Sequence, residues 1–212
     1  MVLKARRLWW EHSGIWAVAL TLPVLGWVGR FFSGSPPANP VEFLLIQTGE
    51  AAVYLLVLTL LISPFRILLP RFEWPRRLAA KRRLLGLSTF AYTGLHFLIY
   101  LLDRLDFQAV LEDLTRWFLL SGFLAFGMLG VLALTSSNRM IKRLGGRRWK
   151  RLHRVVYLAA ALAFWHMILK EKHAPWEALV LFGGLSLLEA GRVLHPHLKP
   201  RPSGTGSSAP KP

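Results

Sequence analysis

Apolar stretches of span length, separated by short polar connections, constrain this chain more than any other feature of its sequence. A transmembrane helix needs about 20 predominantly apolar residues; five stretches here approach that length and a sixth is shorter. They cover approximately residues 13–32, 43–62, 84–102, 117–134, 152–169 and, for the shorter one, 176–188. We expect no soluble catalytic domain in the residues that remain outside these stretches. The sequence therefore predicts an all-α integral membrane protein, with a six-helix transmembrane bundle as one domain over residues 1–195.

The basic residues are distributed unevenly among the connections. Lys and Arg total 27 against 11 Asp and Glu, a formal net charge of +16 that would suggest nucleic-acid binding in a soluble protein. The N-terminal segment, second loop, fourth loop and C-terminal tail carry 3, 7, 7 and 4 Lys or Arg, whereas the other connections carry 0, 2 and 2. Since basic loops stay in the cytoplasm, we predict that both termini are cytoplasmic and that no nucleic acid binds. Residues 196–212, rich in Pro, Gly and Ser, are expected to be disordered.

The connection after the third span, residues 103–116, mixes acidic and basic residues with regularly spaced apolar ones. This pattern predicts a short amphipathic helix lying at the membrane interface. Its lipid-seeking side chains would be Leu105, Phe107, Val110, Leu111 and Leu114.

Histidines inside the apolar spans are the candidate functional residues. The absence of Cys excludes thiolate-bound clusters and haem attached covalently through cysteine. An imidazole in hydrocarbon is costly unless it is hydrogen-bonded or coordinated. At about 1.5 Å per residue, His96 lies about 18 Å and His166 about 21 Å from the cytoplasmic start of its span. Because these depths agree within one helical turn, the pair predicts a six-coordinate, low-spin haem iron held between two helices. The alternative is that each imidazole only hydrogen-bonds a neighbouring helix.

His153 occupies a different position, at the basic end of the fifth span. It lies 13 residues before His166, which is about 20 Å along a helix, so the two cannot bind one iron. The third span has no histidine at the height of His153. His153 is therefore either structural or a ligand of a second haem whose other ligand comes from elsewhere. Aromatic residues near the histidines, notably Tyr92 and Phe164, are candidates for packing on a haem, although membrane proteins also use such rings as interface anchors and filler.

Four segments resemble one known family, the ferric-reductase-like transmembrane proteins. They are TGEAAVYLLVLTLLISPFR in the second span, RRLLGLSTFAYTGLHFLIYL around His96, LTSSNRMIKRLGGRRWKRLHRVVYL around His153, and FWH at His166. The similarity covers residues 41–190 and is greatest to the branch that serves bacterial methionine sulfoxide repair.

The resemblance implies a haem-binding subunit of the bacterial inner membrane. It implies b-type haem at His96 and His166, with His153 a family histidine and a candidate ligand of a second haem, and an FMN to which no residue here is assigned. Electrons would pass from the quinone pool, or from a cytosolic flavin reductase, to the periplasmic molybdopterin reductase MsrP. The chain itself would then transfer electrons without performing substrate chemistry.

Two other functions compete with this interpretation. A terminal reductase would deliver electrons to ferric iron or oxygen at an exposed haem edge. A transporter or structural membrane protein would use its histidines to relay protons or brace helices. Absorption spectra of the oxidised and reduced protein distinguish the last class from the first two, because only a haem protein gives sharp reduced bands.

Overall fold

The computed structural model describes residues 13–34, 36–170 and 176–198, and within these ranges all regular structure is helical. The helices are α1 (Ser13–Phe31), α2 (Pro40–Leu68), α3 (Trp74–Ala80), α4 (Arg82–Arg104), α5 (Phe107–Asp113), α6 (Trp117–Leu134), α7 (Asn138–Leu144), α8 (Gly146–Leu152), α9 (Val155–Lys170) and α10 (Trp176–Leu198). The all-α prediction is thus confirmed for the described residues. Helix α10 includes the first residues of the predicted tail, and the rest of that tail lies outside the described ranges.

Four of the described helical stretches are long and apolar enough to cross a membrane. They are α2, α4, α6 and the stretch Gly146–Leu169, which joins α8 to α9. The apolar part of α1, Val18–Phe31, is shorter, and α10 is not among the four. The six-span arrangement with both termini in the cytoplasm therefore remains a prediction.

Local sequence explains where several helices begin. Helix α2 begins with Pro40, whose missing N–H costs nothing in the first turn, and the side chain of Asn39 accepts a hydrogen bond from the Glu42 N–H at 3.1 Å. Asp106 caps α5 in the same manner, accepting from the Gln108 N–H at 2.9 Å. These caps fix the starts of helices that follow polar connections.

Two helix pairs carry the fold: α2 packs along α4, and α6 packs along α9. Helix α10 packs on α2, and a shared core joins the pairs. That core places Leu60 of α2 and Leu129 of α6 against Ala159 of α9 and Phe182 of α10. Ala159 is fully buried, and such a small side chain allows close approach of neighbouring helices in a membrane.

Two predicted helix boundaries differ from the structure. Helix α2 continues through the buried Pro64 to Leu68, six residues beyond the predicted end of the second span at residue 62. Proline removes one backbone hydrogen bond, and in apolar surroundings the remaining backbone groups have no better partners than the helix itself. The predicted fifth span begins at Leu152, whereas α9 begins at Val155 because His153 and Arg154 form a turn.

The connection after α4 forms the short helix α5, as its amphipathic pattern predicts. Phe107 and Leu111 on this helix are exposed, whereas its last residue, Asp113, is only 2% exposed. The Asp113 carboxylate accepts a hydrogen bond from the Tyr100 hydroxyl at 2.7 Å and pairs with Arg104 at 2.8 Å and Arg116 at 3.6 Å. Asp113 therefore ties α5 to the end of α4 and the start of α6.

Candidate functional site

The structure brings together two of the predicted site residues, His96 on α4 and His166 on α9. Their ring centroids are 6.4 Å apart and their planes are inclined by 86°. Two imidazoles on opposite faces of one iron, with metal–nitrogen bonds of about 2.0 Å, have centroids about 6.3 Å apart. The observed separation therefore matches that of two axial ligands on a single haem iron.

Each imidazole is oriented by a backbone carbonyl of a neighbouring helix. His96 Nδ1 lies 2.9 Å from the Leu45 carbonyl oxygen on α2, and His166 Nδ1 lies 2.6 Å from the Phe118 carbonyl oxygen on α6. Because a carbonyl only accepts, both Nδ1 atoms donate, which places the lone pair of each neutral ring on Nε2. Metal-ligating histidines are held in this way, with one ring nitrogen donating to a carbonyl or carboxylate and the other facing the metal.

A cavity adjoins both imidazoles and is bounded by α2, α4, α6 and α9, with the first turn of α10 at one edge. One wall consists of aromatic rings in mutual contact. Phe97 stacks on Phe126 at 4.6 Å between centroids and meets Phe123 edge to face at 5.5 Å; Tyr100 meets Phe123 at 5.9 Å. Glu50 and Glu177 are acidic residues of the lining. A mainly apolar, aromatic wall of this kind suits packing against a porphyrin.

Tyr92 and Phe164, the rings predicted to pack on a haem, do not line this cavity. The Tyr92 hydroxyl donates to the Leu20 carbonyl, and its ring meets Trp27 edge to face at 5.9 Å, so it joins α4 to α1. Phe164 packs on Phe182 of α10 at 5.1 Å. Proximity in sequence to a histidine does not determine which side of the helix a ring occupies, and the role of Tyr92 and Phe164 as haem contacts stays a prediction.

His153 lies apart from the two facing histidines. Its ring stacks on Trp149 with centroids 4.0 Å apart, and its Nε2 lies 3.3 Å from the Thr135 hydroxyl oxygen on α6. The Trp149 indole N–H donates to the Thr135 carbonyl at 3.0 Å. Within the described residues, no cluster of three or more His, Asp or Glu side chains forms a site for a metal ion without porphyrin.

Sequence reasoning missed the groups that orient the imidazoles and most of the cavity wall. A backbone carbonyl has no residue signature, so nothing in the sequence singles out Leu45 or Phe118 as partners. Phe123 and Phe126 belong to a uniformly apolar helix, where periodicity gives no inner face. Taken together, the donor set, the ring separation and the aromatic wall fit a b-type haem.

A comparison with protein families agrees with this arrangement. Residues 48–164 match the model of the family described as ferric reductase like transmembrane component. The match includes His96 and His153 and ends two residues before His166. Together with the four candidate spans, it indicates a multi-pass membrane protein.

Curated relatives narrow the class. A protein of Herminiimonas arsenicoxydans is 44% identical over 150 residues, covering 69% of this chain and 67% of the relative. One of Rhodospirillum rubrum is 38% identical over 194 residues, covering 90% and 91%, and one of Deinococcus radiodurans is 40% identical over 172 residues, covering 78% and 83%. Each is named protein-methionine-sulfoxide reductase heme-binding subunit MsrQ. The chain therefore belongs to the ferric-reductase-like transmembrane family and, within it, to the MsrQ family.

Proposed function

We propose that this chain is the haem-binding, electron-transfer subunit of a methionine sulfoxide reductase system, with His96 and His166 as the axial ligands of a b-type haem. The observation that carries the proposal is the 6.4 Å separation of two imidazoles that are each oriented by a backbone carbonyl. The names of the relatives support the cofactor and the system.

The residues of the site favour electron transfer over chemistry on a substrate. A haem bound there supplies a one-electron couple of its iron. His96 and His166 would occupy both axial positions, so no position remains for oxygen or another ligand to be activated. Hydrogen bonds from Nδ1 to carbonyl oxygens raise the basicity of each imidazole, which stabilises the ferric state. A terminal reductase acting through an open iron position is therefore the less favoured function.

A group of charged and aromatic side chains joins the cavity to α5. Tyr100 lines the cavity, and its hydroxyl is held by the buried carboxylate of Asp113. Arg104 and Arg116 compensate that carboxylate. This arrangement fixes the cavity-lining Tyr100 and holds α5 at the end of α4.

The direction of electron flow follows from the distribution of Lys and Arg. If the basic loops are cytoplasmic, His96 and His166 lie in the periplasmic half of the membrane, and the acceptor docks on that side. We propose that this acceptor is MsrP, a periplasmic molybdopterin enzyme, and that the donor is the quinone pool or a cytosolic flavin reductase. The location is then the bacterial inner membrane. Neither the donor nor an FMN is assigned to any residue.

The test of the cofactor is the absorption spectrum of the purified protein, oxidised and after reduction with dithionite. We expect a sharp Soret band and a sharp reduced α band, as bis-imidazole haem gives, and a b-type pyridine haemochrome. A protein that folds and inserts in the membrane but shows none of these bands would contradict the proposal and favour a transporter or structural role.

The orientation is tested by cysteine labelling, which is simple here because the sequence has no Cys. Ala38 and Arg148 are exposed and lie on the two sides that the charge distribution separates. We expect a thiol reagent added from the periplasm to label Ala38→Cys but not Arg148→Cys. The reverse result would invert the topology and the predicted side of the acceptor.

A further inference from the structure

The two histidine sites are built from the same local arrangement, repeated in the two helix pairs. In α2 the carbonyl that accepts from His96 belongs to Leu45, and Gly49 follows four residues later. In α6 the carbonyl that accepts from His166 belongs to Phe118, and Gly122 follows four residues later. A helix brings residues four apart to one face. Each imidazole therefore lies against a carbonyl and a glycine on the same face of its neighbouring helix.

A hydroxyl group completes each arrangement. The residue before Gly49 is the fully buried Thr48, whose hydroxyl donates to the Leu44 carbonyl at 2.6 Å and lies 3.3 Å from that of Leu45. The residue before Gly122 is the buried Ser121, whose hydroxyl donates to the Phe118 carbonyl at 2.7 Å. Such bonds from Ser or Thr to the preceding turn alter the local helix geometry. The same carbonyl oxygens that receive the imidazoles are thus also contacted by a hydroxyl.

The glycines are the positions where no side chain would fit without moving an imidazole. A Cβ at Gly122 would lie 2.9 Å from Nδ1 and 3.0 Å from Cε1 of His166. A Cβ at Gly49 would lie 3.2 Å from the same two atoms of His96. No other glycine in the described ranges would bring a Cβ within 3.4 Å of another side chain. Among the glycines of the described residues, the two whose added Cβ would lie nearest to another side chain are therefore those beside the facing histidines.

We propose that Gly49 and Gly122 are positioning residues that hold the two imidazole planes nearly perpendicular and thereby set the ligand field of the iron. This inference rests on the proposed haem function. The carbonyl and the glycine lie on one face of the neighbouring helix and together fix the orientation of each ring, and the resulting angle between the planes is 86°. Since the ring of each histidine is fixed by its own helix pair, the angle is a property of how the two pairs meet.

The angle has a spectroscopic consequence. Each imidazole interacts with the iron d orbital that lies in the plane perpendicular to its ring. Parallel rings act on the same orbital and separate it from its partner, whereas perpendicular rings act on both orbitals equally and leave them nearly degenerate. Near-degeneracy raises the low-field g value in the EPR spectrum of low-spin ferric haem. The wild-type protein should therefore show a low-field g value well above that of a parallel bis-imidazole haem.

The experiment compares Gly49→Ala and Gly122→Ala with the matched control Gly127→Ala. Gly127 lies in α6 like Gly122, but a Cβ there meets nothing within 4 Å. Alanine is the better helix former, so a defect in the first two variants cannot arise from lost helix propensity. We expect both to lower the low-field g value or to release haem, with the larger effect for Gly122→Ala because its contact is closer. The control should keep the wild-type spectrum.

A second variant separates ring positioning from general damage to the fold. In His166→Gly the ring that would collide with a new Cβ is gone, and no imidazole is added in its place. If Gly122 acts through the ring of His166, adding Gly122→Ala to His166→Gly should change neither haem content nor the EPR signal. If Gly122→Ala alone does not fold, the His166→Gly background should restore folding.

The possible results of these experiments test the haem function and the positioning role of the glycines separately. A wild-type protein without low-spin haem would contradict the haem function itself. A wild-type bis-imidazole haem with the g values of parallel rings would contradict only the positioning role. The positioning role would also be contradicted if the spectra of Gly49→Ala and Gly122→Ala were indistinguishable from that of Gly127→Ala. A defect of Gly122→Ala that persists in the His166→Gly background would contradict it too.

Discussion

The two ends of the fifth predicted span present a histidine to the bundle in different ways. At one end His166 faces His96 across 6.4 Å, and each ring donates to a carbonyl through Nδ1. At the other end His153 packs on Trp149, and its Nε2 is within 3.3 Å of the Thr135 hydroxyl. The first arrangement suits both rings to one iron, whereas in the second the Nε2 atom already has a hydroxyl partner.

The corresponding position on α4 explains part of this difference. The start of α4 has no histidine; Arg82 stands there, and its guanidinium donates to the Ser63 hydroxyl at 2.7 Å. A histidine in a span becomes half of a bis-imidazole site only where the facing helix supplies the other half. A pair of histidines at matched depth on two helices therefore indicates a haem site, whereas a single histidine in a span does not.

Among the substitutions that test this contrast, His96→Ala and His166→Ala are expected to have the largest effect on haem binding. Either change removes one axial ligand of a site whose other elements remain, so the low-spin haem should be lost or become five-coordinate. Haem content by pyridine haemochrome and the absorption spectrum measure this directly. Tyr92→Phe is a suitable control, because it removes a hydroxyl that contacts α1 outside the cavity. Wild-type haem content with a low-spin spectrum in both alanine variants would show that the ligands are wrongly assigned.

A smaller effect, on the stability of the fold, is expected from Asp113→Asn at the end of α5. The substitution keeps an acceptor for the Tyr100 hydroxyl but leaves Arg104 and Arg116 without their carboxylate. Both arginines are partly exposed, so the loss in the free energy of unfolding should be about 2 kcal/mol. Thermal unfolding in detergent measures it.

Glu112→Gln provides the matched control, since Glu112 lies on the same helix with its side chain exposed. Equal melting temperatures for the two variants would mean that the buried carboxylate does not secure α5. A lower melting temperature for Asp113→Asn alone would support its role in holding α5 against the ends of α4 and α6.

The sequence predicted those parts of the fold and site that depend on residue type and spacing. Apolar runs locate the long helices, because backbone groups in lipid must pair within their own segment. The distances of His96 and His166 from the starts of their spans predict that they meet, since rise per residue is nearly constant in a helix. The turn at His153 and Arg154 lies within the stretch counted for His166, but it is short, and the two rings still meet.

What could not be predicted depends on which way each helix is rotated and on backbone atoms. Helix α6 is apolar on all sides, so its sequence does not reveal that Phe123 and Phe126 face the cavity. Tyr92 and His96 are four residues apart, yet Tyr92 contacts α1 while His96 faces α9. The pairs Thr48–Gly49 and Ser121–Gly122 were the available signal: a hydroxyl residue and a glycine side by side in a span often mark close helix packing.

The smallest and most discriminating effect is expected from His153→Ala. If this residue ligates a second haem, that haem lies about 20 Å from the first along the helix and takes its other ligand from a group other than a histidine of α4. A haem there would shorten the electron's path from a cytoplasmic or quinone donor. We therefore expect His153→Ala to leave the spectrum of the His96–His166 haem intact while slowing its reduction by the physiological donor. Thr135→Val, which removes the hydroxyl contact of His153 but keeps its imidazole, controls for local packing. The measurement is haem stoichiometry beside the reduction rate, and an unchanged haem count with unimpaired reduction would make His153 a packing residue in a protein with one haem per chain.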